Sequence, residues 1–160
     1  MSIESALSHP TDIDYERLSL QKHEKWTWIL SPNQSYLGRS VFVLRRACNT
    51  SLAELGQKEW DELKILVCLQ EQSINEIFRP DRYNYTQMGN VWEQLHVHAI
   101  PRYRAERVWN GHKFRDLRWG MNPAPTPESP ISLETTYQFA DWLRGKIHLL
   151  PTGLRAIRST

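Results

Sequence analysis

Apolar positions in this chain recur with two periods, and the switches between them place the strands and helices. Trp26, Trp28 and Leu30 alternate with other residues across 25–31, and the apolar run RSVFVLR follows at 39–45, after the turn residues Pro32, Asn33, Gln34 and Ser35. Two such runs with a polar turn between them predict an antiparallel hairpin with a longer loop. Trp26 and Trp28 share a face there; packing is the expected role of both, and a nucleobase slot is the other use of such a ring. Leu95, Val97 and Ala99 alternate with Gln94, His96 and His98 as far as Ile100, where Pro101-Arg102 is expected to stop the strand. Gly89-Asn90 is a turn signal that lets the chain double back from a strand around 83–87.

Between these strands the period lengthens. Ser51-Leu52-Ala53-Glu54 has the form of a capping box. After Gly56, residues Trp60, Leu63, Val67, Ile74, Ile77 and Phe78 recur at helical spacing, predicting one helix over 57–78 with that stripe facing the core. Arg79-Pro80-Asp81 ends it. A short helix is expected over 12–20, with Ile13, Leu18 and Leu20 as its contacts. Beyond the proline-rich segment 123–130 (PAPTPESP), Ser132 caps a last helix to about Leu149, with Phe139, Leu143 and Ile147 spaced for packing. Residues 1–10 read as a loose arm and 151–160 as a partly ordered tail. The order of elements predicts an α+β domain, a long helix laid against an antiparallel sheet. The expected divisions are 1–24 for the arm and short helix, 25–122 for the central domain, and 123–160 for connector, last helix and tail.

Composition narrows the class. At 160 residues a single domain is expected. With 40% hydrophobic and 24% charged residues the chain has the balance of a soluble globular protein. A net charge of +2 is too small to point to nucleic acid or a membrane as the main partner. Cys48 and Cys68 stand far apart without a CxxC, which suits reduced thiols in a cytosolic setting. No apolar run approaches the ~18 residues of a membrane span, and the N-terminus has no basic-then-apolar signal. A cytoplasmic protein is expected.

Candidate chemistry is concentrated on one strand. Gln94, His96 and His98 project from the same face, with alternate residues about 7 Å apart. Three readings of that row compete. It is a solvated polar face, or an H-x-H metal pair, or a site for phosphate chemistry. A metal pair would need a third ligand from far away, since no acidic residue or cysteine lies nearby at ligand spacing. In the phosphate reading, one imidazole attacks phosphorus while its neighbours donate hydrogen bonds to the oxygens. The chain beyond Tyr103 is basic and aromatic (Arg104, Arg107, Trp109, His112, Lys113, Arg115, Arg118, Trp119), mostly as a solvated loop face is. A guanidinium near the end of the strand suits a phosphate or a stacked base, and Arg102 is best placed for it.

Residues 84–103, NYTQMGNVWEQLHVHAIPRY, resemble the signature of the histidine triad (HIT) superfamily, a His-φ-His-φ-His-φ-φ strand usually followed by Pro-Arg. Gln94 takes the first triad position, as in a bacterial branch of the superfamily, and His96 and His98 take the second and third. The likeness extends more loosely from Trp26 to about Pro123. It implies a HIT-like fold and a nucleotide or dinucleotide substrate. His96 is then the nucleophile toward the α-phosphate, forming a nucleotidyl-histidine that water resolves. Its other ring nitrogen would hold its proton against the backbone carbonyl of Gln94. His98 would donate to the phosphate oxygens or the leaving group, and Gly89 would let the backbone approach the phosphate. Gln94, Asn84, Asn90 and Arg102 complete the substrate-binding set that the resemblance implies. No cofactor or metal is implied, and a homodimer is expected by analogy. Two positions differ from the common pattern: Arg45-Arg46 is followed by Ala47-Cys48 where many members have histidine, and Val91 stands where a Ser or Thr donor serves the leaving group. Good leaving groups, such as a nucleotide phosphate, fit these differences better than amines. The alternative is a catalytically weak or inactive nucleotide-binding or scaffold domain of the same fold.

Overall fold

The computed structural model describes residues 13–47, 51–90 and 92–148. The expected loose arm, the C-terminal tail, Cys48 and Val91 lie outside these residues. Asp14 caps a single helical turn, α1 (Tyr15–Leu18), its Oδ1 accepting from the Glu16 and Arg17 amides at 3.0 and 3.1 Å. The chain then becomes strand β1 (Ser19–Lys22), so the short helix expected over 12–20 is half helix and half strand. Leu18 and Leu20 are both buried, a spacing of two that a strand satisfies.

Strands β2 (Trp26–Leu30) and β3 (Ser40–Leu44) form the predicted antiparallel hairpin. Ser51 caps only a 3-10 turn at Leu52–Glu54. The long helix α2 (Gln57–Ile77) is started instead by Glu59, whose Oε2 accepts from the Gly56 amide at 2.9 Å. Its buried stripe is Leu63, Leu66, Gln70, Ser73 and Ile74. Trp60, expected on that stripe, is 41% exposed, so the true core face is rotated toward Leu66. Strand β4 (Arg82–Thr86) follows, then β5 (His96–Arg102), and the five strands form an antiparallel sheet in the order β1-β2-β3-β5-β4. Pro101 lies inside β5 rather than ending it, paired with Tyr83 of β4. It is tolerated because the pairing of β5 with β3 begins at Ala99 opposite Ser40, so Pro101 lies past the end of β3.

The register gives the sheet two different faces. Val97 and Ala99 lie opposite Phe42 and Ser40, and Tyr85 and Tyr83 opposite Ala99 and Pro101. Helix α2 covers this face: Trp26 Nε1 donates to Glu59 O at 2.9 Å, and the Tyr85 hydroxyl donates to Glu71 Oε1 at 2.7 Å. Trp26 and Trp28 are fully buried here, so they pack and do not line a base slot. The other face carries His96, His98, Ile100 and Arg102, with Val43 and Val41 opposite the histidines on β3.

A second hairpin, β6 (Arg107–Trp109) and β7 (His112–Phe114), lies in the stretch expected to be a basic loop. Its turn is Asn110-Gly111, with φ of 47° and 78°, the two left-handed residues a two-residue hairpin turn needs. Helix α3 (Leu133–His148) is capped by Ser132, whose Oγ accepts from the Thr135 amide at 3.1 Å. Phe139 packs on Trp109 and Phe78, with ring centroids 4.6 and 5.9 Å away, and joins hairpin and helix to the core. The proline-rich segment is held to the β2–β3 loop: Tyr36 OH donates to Pro123 O at 2.8 Å and Asn33 Nδ2 to Pro127 O at 2.9 Å. The architecture is the expected α+β one, a five-stranded antiparallel sheet with a long helix and a C-terminal helix. No described helix is long and apolar enough to cross a membrane.

Candidate active site

Strand alternation places His96 and His98 side by side, and the rings meet edge to face with centroids 4.9 Å apart. His96 is 5% exposed. Its Nδ1 lies 2.7 Å from the backbone carbonyl of Gln94. A carbonyl oxygen only accepts, so Nδ1 carries the proton and the neutral ring keeps its lone pair on Nε2. Burial lowers the pKa of His96, partly opposed by that carbonyl. The neutral form therefore prevails at pH 7, as a nitrogen nucleophile requires.

The side chain of Gln94 does structural work. Its Nε2 donates to the carbonyls of Leu44 and Arg46 at 2.5 and 2.9 Å, pinning the end of β3 beside the start of β5. The carbonyl that orients His96 belongs to the backbone, so the amide side chain does not compete for that role.

His98 is half-buried, and its Nδ1 has no partner in the protein. Burial, then the charge of Arg39, then His96 push its pKa down to about 4. It is neutral at pH 7 and keeps one N–H to donate. Trp92, just ahead of the strand, stacks on His96 with centroids 4.7 Å apart and planes 25° from parallel, which fixes the ring's tilt. Its Nε1 is buried without a partner, as is the hydroxyl of Thr86, directly opposite His98 on β4. Trp92, Thr86 and Arg39 were not expected at this site. A tryptophan between the glycine turn and the histidine strand was the available signal for the first. The other two follow only from strand register.

The remaining expected residues divide. Arg102 shares the histidine face, but it is 4% exposed and all its donors are engaged within the protein. Its Nε and Nη2 bind Asp116 at 2.6 and 3.2 Å, and Nη2 also donates to Arg118 O at 2.6 Å. Its Nη1 donates to Asn84 Oδ1 and Met121 O at 2.6 and 3.2 Å. Five N–H groups make five bonds, leaving none for a phosphate. This corrects the expected role of Arg102. Asn84 is tied into the same network and also donates from Nδ2 to Tyr83 O at 3.2 Å. Gly89 and Asn90 sit on the loop between β4 and β5, Asn90 exposed. A Cβ on Gly89 would meet only Gln87 Nε2, at 3.7 Å, an ordinary contact, and its φ is not positive. The fold itself does not demand glycine there. Among the described residues, no group of three or more His, Cys, Asp or Glu side chains assembles a metal donor set.

Several solved structures with this fold are described as histidine triad proteins. The chain is similar to a histidine triad protein from Bradyrhizobium japonicum, with 22% identity and a TM-score of 0.59, covering 81% of this chain and 89% of that one. It is similar to a hypothetical histidine triad nucleotide-binding protein from Sulfolobus tokodaii, with 20% identity and a TM-score of 0.61 over 82% and 83% of the two chains. A diadenosine triphosphate hydrolase from Plasmodium falciparum, solved with cyclomarin A, matches at 12% identity and a TM-score of 0.57 over 90% and 92%. At these identities the likeness establishes the fold, which is HIT-like. No protein-family model and no curated protein matches the chain.

Proposed function

We propose that this HIT-like chain is a nucleotide hydrolase or nucleotidyl transferase acting on the α-phosphate of a nucleotide or dinucleoside polyphosphate through His96. The observation that carries the reading is the 2.7 Å contact from His96 Nδ1 to the Gln94 carbonyl. It fixes which ring nitrogen has the lone pair. The names of the Sulfolobus tokodaii and Plasmodium falciparum proteins support a nucleotide as the substrate class.

In the first step His96 Nε2 forms a bond to the α-phosphorus, and the bond from phosphorus to the leaving oxygen breaks with its electron pair on that oxygen. The ring becomes cationic, and the Gln94 carbonyl dipole stabilises that charge through Nδ1–H. Water then attacks phosphorus, the P–N bond breaks, and its pair returns to Nε2. The water proton leaves to solvent, and the ring is neutral again. His98 donates its N–H to a phosphate oxygen, a role that needs no positive charge. In this reading Gly89 and Asn90 border the phosphate, whereas Gln94 and Asn84 act by holding their neighbours. A homodimer and a cytoplasmic setting belong to the same reading.

One observation favours the second reading, a weakly catalytic or inactive nucleotide-binding domain. A His98 with its pKa near 4 is a poor proton donor at pH 7, so a leaving group that must be protonated departs slowly. The test compares wild type and His96→Ala on dinucleoside polyphosphates and adenylyl conjugates, with calorimetric binding of AMP beside it. The expected result is loss of turnover in His96→Ala with AMP binding kept. Equal turnover in both proteins removes His96 from the mechanism. Binding without turnover in wild type selects the second reading.

A further inference from the structure

A cation that the mechanism leaves unused stands on the histidine face. Arg39 follows Gly38, whose φ is +81° and whose Cβ, if it had one, would lie 3.0 Å from Ile74 Cδ1. Glycine at this turn lets the chain enter β3 tight against helix α2. Ser40 is opposite Ala99 and Val41 opposite His98, so the register carries Arg39 to the level of Ile100, on the side of the histidines. Its Nη1 donates to Thr126 Oγ1 at 3.2 Å, and its buried Nε has no partner. Among the described residues, no carboxylate lies within ion-pair distance of it. Arg102, further along the same face, differs: Asp116 balances its charge.

A half-buried cation with a buried, unpartnered Nε and no counter-ion is costly, and an anion beside it offsets that cost. The unpartnered polar atoms nearest in register are ready to share such an anion. They are Nε of Arg39 ahead of β3, Nδ1 of His98 on β5 and the hydroxyl of Thr86 on β4. The register sets Arg39 one alternate-residue step from His98, and the charge of Arg39 is among the causes that lower the His98 pKa. Along the strand, Arg39 stands about one alternate-residue step, ~7 Å, beyond His98 and on the far side from His96. That leaves room for a second phosphate past the one attacked.

We propose that Arg39 binds the phosphate of the leaving group, so that the site selects nucleotides whose leaving group departs as a phosphate anion over those that lose an amine or alcohol. The inference rests on the nucleotidyl-transfer reading of His96 and names the substrate class of that site. When the bond from phosphorus to the bridging oxygen breaks, its electron pair stays on a phosphate oxygen. That oxygen needs no proton, and Arg39 supplies the opposing charge. An amine would need a proton that neutral His98 does not bring.

The experiment measures binding of two unreactive probes, α,β-methylene-ADP and AMP, to wild type, Arg39→Ala, Arg39→Gln and Arg39→Lys. Wild type is expected to bind the diphosphate at least roughly tenfold more tightly than AMP, as charge-assisted bonds to a second phosphate require. Arg39→Ala and Arg39→Gln bring the ratio close to one with AMP affinity nearly unchanged, and Arg39→Lys restores part of it. On a dinucleoside triphosphate, kcat/KM of Arg39→Ala falls about 100-fold, while hydrolysis of an adenosine phosphoramidate changes little. An unchanged ratio, or equal losses for both probes, overturns the proposal. Arg39→Gln carries the test if the alanine variant fails to fold. Because the ratio is read without turnover, an inactive wild type would remove the catalytic role of His96 and still leave this proposal to be decided by binding.

Discussion

Gln94 and His98 show how hydrogen-bond capacity, spent or unspent, sorts the residues of this site. The amide of Gln94 is committed to two backbone carbonyls at the end of β3 and just past it, whereas the buried Nδ1 of His98 has no partner. Free imidazole titrates near 6.5, and in the fold His98 is pushed down to about 4. The unfolded chain therefore takes up the proton first as pH falls. Stability from the neutral ring is fully present above about pH 6.5 and is lost as pH drops toward 4, by at most about 1.4 kcal/mol per pH unit. His96, shifted in the same direction by burial, adds to the slope. Urea unfolding at pH 7 and pH 5 should show wild type losing about 2 kcal/mol more than His98→Gln. Parallel losses would mean that His98 titrates as it does in the open chain. At this scale the sequence was informative about orientation and silent about depth. Alternation placed His96 and His98 on one face, and resemblance named the Gln94 carbonyl. Whether Arg102 or Arg39 would be neutralised depended on Asp116, which lies 14 residues from Arg102 and which no local pattern connects to it.

Among the elements, Arg102 and Asp116 act as a post that ties β4, β5 and the chain after β7 together. Their side chains are 4% and 0% exposed, and Arg118 and Met121 are drawn in through their carbonyls. Asp116→Asn would leave a buried guanidinium without its counter-charge. The expected cost is about 3–5 kcal/mol, a fall in Tm of roughly 10 °C for a chain of this size, read by scanning calorimetry. Nucleotide affinity of the protein still folded at low temperature should hardly change. Weaker binding at unchanged Tm would return Arg102 to the substrate side. Strands β2 and β3 and helix α2 were legible to within a residue or two, because long runs average out local exceptions. Short elements were not: four residues of α1 and four of β1 are too few to establish a period. The β6–β7 hairpin was signalled by Asn110-Gly111 after Val108-Trp109, and the basic residues around it, His112 and Lys113 directly after the turn, masked it. The stripe read from helical spacing fails at Trp60, which is 41% exposed, because spacing alone does not say where along the helix the covered face begins. Its exposed position and the buried Gln70 show that packing geometry, not hydrophobicity alone, sets the face.

In the whole molecule, one sheet divides stability and chemistry between its two sides. Trp26, Trp28, Phe42 and α2 build the core on one side, so the other can keep polar atoms unpaired around His96 and His98. Such atoms cost stability unless a ligand satisfies them, and this links binding to folding. A nucleotide that binds only the folded chain stabilises it by about 2.7 kcal/mol at a hundred times its Kd. For a protein of this size that raises Tm by roughly 5–10 °C. Scanning calorimetry with increasing α,β-methylene-ADP should show that rise in wild type. His96→Ala should retain most of it, since that change removes the attacking nitrogen and leaves the donors around it. Arg39→Ala should lose most of the advantage of the diphosphate over AMP. A Tm that stays constant at every nucleotide concentration would remove the enzymatic and the binding reading together, because both require the polar side of the sheet to hold phosphate.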